Sequence, residues 1–495
     1  MVTALDPARI RFIGLRVLRD AVFFVTGALL TVLLVQLVGA WRMPPEEPWH
    51  EWSYETEFRA SDAVPDYRLD DYLAQEGRVF EELAALVESE GPGGPESYWH
   101  RFAPGGPNNP LSFSRSWNRT FVLEPGREPI GGALLLHGLT DSPYSLRAVG
   151  DVLRREGYRV LGLRMPGHGT SPSALKDVRW RDWTAAARVG YDWLRDGFAD
   201  GRPVLVVGYS NGGLVALDLA LDAIDADRRR PDRLVLLVPA LGVSRLGALG
   251  GTHRLISWLP GAGAAAWTDL IPEFDPYKYN SFSKSAGRQT YLLARRVRSR
   301  VADLANAGGG GAMPPVLIFA SLADATVEVE AMIAGLLQPL ADPRHELVIF
   351  DVDRWAAIEP LFAVDPADRL AHLRGAGGLP WALTVVTNSS RDASEVEARR
   401  WDAGRDTPRI EPLDLQWPSG VFSLSHVSLP FPFDDPLYGL EGPTPEEGYP
   451  IGRLEPRGEH ELLRLPAGWF TRLRSNPFFA YVDRRVTEAA VEAAR

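Results

Sequence analysis

In GYSNGG, Gly208 to Gly213, a serine stands two residues from a glycine on either side, the pattern G-x-S-x-G. The apolar PVLVVGY before it reads as a strand ending at Tyr209, and NGGLVALDLALDAI after it as a helix beginning at Asn211. A serine at so sharp a strand-to-helix turn needs small neighbours, because the backbone is strained there and flanking side chains would collide. Gly208 and Gly212 supply that space. The turn would expose the Ser210 hydroxyl at the carboxyl end of a sheet, where open α/β folds place their ligands. A second stretch, LLLHGLTDS from Leu134 to Ser142, ends a strand in His-Gly. The backbone N–H of Leu139, with that of Asn211, would point into the space above Ser210 as a two-donor oxyanion hole. Loss of one such donor typically costs about 3 kcal/mol of transition-state stabilisation. His137 reads as structural, holding the loop through its ring.

These residues need a sheet to position them, and the chain alternates accordingly. FVLEP and GGALLLHG read as strands, SPYSLRAVGDVLRREG as a helix and YRVLGLRMPGHG as a strand and loop. WRDWTAAARVGYDWLRDGF follows as a helix, and DRLVLLVPAL as a strand after the Ser210 helix. Short Val/Leu/Ile runs between helices of ordinary length predict a parallel sheet covered on both faces. From 242 to 312 the alternation stops, which predicts an inserted cap. Its Trp258, Leu259, Trp267, Leu270, Ile271 and Phe274 would suit an apolar substituent or form the cap's own core. The sheet resumes at Pro314–Asp324, His345–Asp353 and Trp381–Asn388, with insertions at about 354–380 and 389–419.

LLLHGLTDSPYSLR, LRMPGHGTSPSAL, RWRDW and GYSNGG resemble the serine hydrolases of the α/β-hydrolase fold. The closest likeness is to the group of monoacylglycerol lipases, carboxylesterases and serine aminopeptidases. It runs from roughly Phe121 to Ala240 and resumes near Pro315. The resemblance implies a nucleophile, acid, base order along the chain. Asp324, at the end of the strand after the cap, then becomes the acid; Glu328, Asp351 and Asp353 fit the arrangement less well. Of nine histidines, His50 and His100 precede the sheet and His253 falls in the cap. His460 lies in a charged stretch, His345 at the wrong end of a strand and His372 in an amphipathic helix. His168 resembles a structural loop residue of the family. His426, in FSLSHVSLPF after the last clear strand, remains as the base. Its distance from Asp324 exceeds what a minimal member needs, and the insertions account for the excess at little entropic cost.

The resemblance implies ester cleavage by Ser210, Asp324 and His426 through an acyl-enzyme, with the N–H groups of Leu139 and Asn211 holding the oxyanion. A peptidase or acyltransferase could use the same triad, and a binding or scaffold protein could keep the fold without the activity. No cofactor or metal is implied, since neither a dinucleotide loop nor a metal-ligand cluster stands out. The 495 residues carry a net charge of −11, which argues against a nucleic-acid partner. There is no cysteine, so disulfides and a thiol nucleophile are excluded.

Ahead of the domain, Ala21 to Trp41 supplies about the 20 apolar residues that a membrane-crossing helix requires. Arg9, Arg11, Arg16 and Arg19 precede it, and Glu46, Glu47 and Glu51 follow. The positive-inside rule predicts a short cytoplasmic N-terminus (1–20), a signal-anchor helix (21–41), a juxtamembrane segment (42–115) and an extracytoplasmic domain (116–495). VGA before Trp41 also fits a cleavage site, although the apolar run is longer than a signal peptide needs.

Overall fold

The computed structural model describes residues 7–242, 263–324, 328–354, 365–374, 378–419, 421, 423–439, 454–456 and 471–495. Trp258, Leu259, His253 and His460 lie outside the described residues. The strands are β1 (Phe121–Leu123), β2 (Gly131–Leu136), β3 (Tyr158–Leu163), β4 (Val204–Tyr209), β5 (Arg233–Leu237), β6 (Trp267–Asp269), β7 (Phe282–Ser283), β8 (Val316–Ser321), β9 (Glu346–Phe350), β10 (Ala382–Asn388), β11 (Glu395–Trp401) and β12 (Arg409–Gln416). Ten of them form one sheet in the order β1-β3-β2-β4-β5-β8-β9-β10-β11-β12. From β3 to β10 every neighbouring pair is parallel; β1, β11 and β12 join antiparallel at the edges.

The parallel strands are apolar on both faces because helices cover both, so every residue of β2, β4, β5, β8, β9 and β10 is buried. The helices are α1 (Pro7–Trp41), α2 (Leu69–Glu90), α3 (Arg147–Glu156), α4 (Trp180–Gly197), α5 (Asn211–Asp225) and α6 (Lys284–Asn306), with a further helix at Phe479–Ala493. α4 packs on α2, α5 and α6, while α3 packs on the helix at Phe479–Ala493. β4 lies inside the parallel set between β2 and β5, which puts the turn into α5 at the sheet's carboxyl edge.

The segment read as a turn-rich insertion after Asn388 is a pair of strands. β11 pairs with β10 in register (Val385 with Arg399) and β12 pairs with β11. At the sheet edge burial is incomplete and no residue of β12 is buried, so EVEARRW and RIEPLDLQ tolerate charges that hide their alternation.

Two N-terminal parts join this core. Residues 42–115, built around α2, wrap the domain through buried polar contacts. Arg164 donates to Glu57 at 2.5 and 3.1 Å, and Glu57 also accepts the Gly167 N–H at 3.0 Å. The Tyr72 hydroxyl donates to the Arg164 carbonyl, and Glu76 accepts from the N–H and hydroxyl of Thr120. Within Arg16–Trp41 of α1 the most apolar 18 residues have a mean hydropathy of 2.4, and none of them is buried. By length and composition it is the one helix among the described residues able to cross a membrane.

Candidate active site

Ser210 takes φ 52° and ψ −111°, in the left-handed region that ordinary side chains avoid, as the residue between β4 and α5. The surroundings explain why its neighbours are glycines. A Cβ on Gly212 would sit 1.9 Å from the Leu136 carbonyl oxygen, and one on Gly208 would sit 2.5 Å from that of Gly212. The elbow is tied down by its own backbone: the Ser210 N–H donates to Leu237, and the Ser210 carbonyl accepts from Gly213 and Ala240. Asn211 is fully buried, and its side-chain oxygen accepts the Thr290 hydroxyl of α6 at 3.1 Å.

Asp324 follows β8 by three residues, and His426 arrives from the far edge of the sheet. His426 Nδ1 stands 3.3 Å from Asp324 Oδ1, with the Asp324 side chain 1% and the His426 side chain 14% exposed. The residues around the histidine explain the placement. Ser321, the last of β8, donates its hydroxyl to the Leu424 carbonyl at 2.7 Å, stitching the histidine loop to the acid's strand. Ser428 donates to the Ser425 carbonyl and closes a turn around His426. Val421, Leu424, Leu429 and Phe431 are buried anchors.

Ser210 and His426 line one cleft of about 540 Å³ together with Leu139, which is half-buried at the end of the β2 loop. Of the expected cap residues, Ile271 and Phe274 line this cleft. Trp267 and Leu270 are instead buried against Ala40 and Ala264–Ala266, beside the end of α1. The cleft also has polar lining residues: Asp141, Asp275, Lys278, Tyr438 and Arg474. Lys278 Nζ lies 3.3 Å from Asp141 Oδ1, and the Tyr438 hydroxyl donates to Asp275 at 2.8 Å. Burial pushes the Asp141 carboxyl up, against the pull of Lys278 and His426. These polar residues went unrecognised in sequence because nothing in DPYKYN or LTDS singles out a lysine and an aspartate as neighbours.

Four of the other described histidines, His137, His168, His345 and His50, sit in structural roles. His137 Nε2 accepts the Met165 N–H at 3.0 Å and its Nδ1 pairs with the Gly138 carbonyl. Burial holds its ring well below the usual imidazole range. His168 is pushed down to about 3 by the same cause, and His345 and His50 to about 4.

The mostly parallel sheet, with a strained serine between β4 and α5, defines the α/β-hydrolase fold. Residues 134–253 match the family model described as alpha/beta hydrolase fold. A thermostable monoacylglycerol lipase of Bacillus sp. (strain H-257) is 32% identical over 127 residues, 26% of this chain and 48% of that protein. The chain thus spans about half the length of the curated relative it matches. Among solved structures, a monoacylglycerol lipase of Paleococcus ferrophilus is 18% identical with a TM-score of 0.35, covering 47% of this chain and 88% of that one. Est1E from Butyrivibrio proteoclasticus, bound to ferulic acid, is 21% identical with a TM-score of 0.33, covering 47% and 85%.

Proposed function

We propose that the chain is a membrane-anchored serine hydrolase that cleaves carboxylic esters of lipase or esterase type. The observation that carries this reading is the His426–Asp324 pair at 3.3 Å in the cleft that Ser210 also lines. His426 takes the Ser210 proton through Nε2 while Asp324 fixes the tautomer through Nδ1–H and stabilises the imidazolium. The Ser210 oxygen attacks the ester carbonyl, and the N–H groups of Leu139 and Asn211 hold the oxyanion. His426 then protonates the leaving alcohol, leaving an acyl-enzyme, and activates the water that releases the acid. The likeness to a monoacylglycerol lipase supports an acyl ester substrate, and Ile271 and Phe274 offer its chain an apolar wall. Trp267 and Leu270 belong to the seam with α1.

The same reading takes α1 as an uncleaved single-pass anchor, with its N-terminus cytoplasmic and the catalytic domain on the outer side. Ala40, one residue before the end of α1, is buried against the domain, a contact that cleavage near Trp41 would discard.

A fluorophosphonate probe tests the chemistry. Wild type should label and Ser210→Ala should not; an unlabelled wild type, or a labelled variant, ends the hydrolase reading. Faster turnover of aminoacyl amides than of p-nitrophenyl esters would replace the esterase with a peptidase.

A further inference from the structure

The end of α1 and the wall of the cleft are parts of one packed unit. Leu37 and Ala40 lie in one apolar cluster with Ala264–Ala266 and Leu270. Just past α1, Glu46 accepts the Trp267 indole N–H at 2.7 Å, and the His50 ring meets Trp267 edge-on at 5.0 Å. His50 Nε2 reaches the Ser281 hydroxyl at 3.1 Å, and that hydroxyl bonds both the N–H and the carbonyl of Ile271. An unbroken series of contacts therefore links the helix to a residue that lines the cleft.

On this side of the molecule large apolar groups face outward. Ile271 is 44% exposed, Tyr98 53% and Trp99 43%. Asn108 Nδ2 donates to the carbonyls of both Trp99 and Phe274, which sets the aromatic pair beside the cleft wall. Tyr98 and Trp99 meet edge-on at 4.9 Å. Exposed apolar groups clustered beside a cleft mark a surface that something covers. Tyrosine and tryptophan are the side chains enriched where membrane meets water, because one end is apolar and the other polar. What covers this patch is set by its neighbour: a helix leaving a bilayer at Trp41 brings Leu270 and Ile271 to that same surface. The nearby Glu46, Glu47 and Glu51 disfavour an anionic leaflet.

We infer that the cleft mouth is held on the bilayer, with Tyr98, Trp99 and Ile271 seated among zwitterionic headgroups of the leaflet from which α1 emerges. An acyl substrate then moves from that leaflet into the cleft without crossing water. This rests on α1 spanning the membrane, and its first test does not depend on hydrolysis.

The chain contains no cysteine, so single cysteines can carry an environment-sensitive nitrobenzoxadiazole label. Tyr98→Cys and Ile271→Cys probe the patch. Ile410→Cys, 58% exposed on β12 at the far sheet edge, is the reference. In full-length chain reconstituted into phosphatidylcholine vesicles, labels at 98 and 271 should shift to the blue and be quenched by nitroxide-labelled lipid. The label at 410 should do neither. Water-like emission at 98 and 271, or equal quenching at 410, overturns the inference. Release of the chain by alkaline carbonate overturns the anchor as well. Hydrolysis supplies the second arm. Tyr98→Ser/Trp99→Ser should slow cleavage of a long-chain monoacylglycerol in vesicles several-fold and leave a soluble short-chain ester untouched. An equal effect on both substrates sinks the delivery route.

Discussion

At Ser210 a non-glycine residue with φ 52° stores strain of about 1–3 kcal/mol, which the surrounding sheet must hold. The reward is an Oγ presented at the carboxyl edge of β4, and the condition is space. Gly212→Ala should therefore fail as an enzyme while leaving most of the fold, since its Cβ would overlap the Leu136 and His137 carbonyls and push the elbow off β2. A retained rate on p-nitrophenyl butyrate would contradict this. Asp324→Asn should lower kcat about 10⁴-fold, because the amide favours the wrong histidine tautomer, with little change in melting temperature. Ser210 was legible because the strand, turn and helix around it are all local in sequence. The pairing of His426 with Asp324 was reachable only by elimination among nine histidines. Its direct determinant, the Ser321 hydroxyl on the Leu424 carbonyl, joins residues far apart in the chain and leaves no pattern.

At the scale of elements, the stretch from Arg42 to Arg115 holds the cap loop that lines the cleft. Arg101 donates its backbone N–H to the Glu273 carbonyl and its guanidinium to the Lys278 carbonyl at 3.0 Å, and Asn108 donates to the Phe274 carbonyl. None of this was legible, because long-range polar contacts carry no periodicity, whereas α2 was readable from its apolar spacing. Two expectations follow. Glu57→Ala leaves the Arg164 guanidinium buried without its carboxylate and should cost about 3–5 kcal/mol, with Glu57→Ala/Arg164→Met recovering part of it. Thermal unfolding of the three chains checks both. The second concerns Glu273, whose carboxyl burial pushes up to about 7, although Arg101 and the N–H groups of Asn280 and Ser281 pull it down. Folding then binds a proton more tightly than the unfolded chain does, so stability falls as pH rises from the ordinary glutamate range to 7 and is level above it. Wild type should lose about 2–3 kcal/mol between pH 5 and pH 8 that Glu273→Gln does not lose. Parallel pH profiles of the melting temperature would refute this.

The whole molecule reads as a hydrolase-fold sheet with three additions. α1 docks on Ala264–Leu270, the stretch from Arg42 to Arg115 braces the loop that carries Phe274, and the β11–β12 extension sends the histidine loop back across the sheet edge to β8. The apolar run of α1 was plain in sequence, but its docking was not. Ala264, Ala265 and Ala266 are small residues in a Gly/Ala-rich stretch, and only packing reveals that their smallness lets the helix approach. If that seam is a working contact, α1 is a structural part of the domain. In hydrogen exchange on detergent-solubilised protein, residues 263–271 should be protected in the full chain. They should exchange faster in a chain beginning at Arg42, because Leu37 and Ala40 no longer cover them. β4 and α5 should exchange alike in both chains, since α1 packs on Gly263–Ala266. Equal protection of 263–271 in the two chains would mean that the seam contributes no local stability.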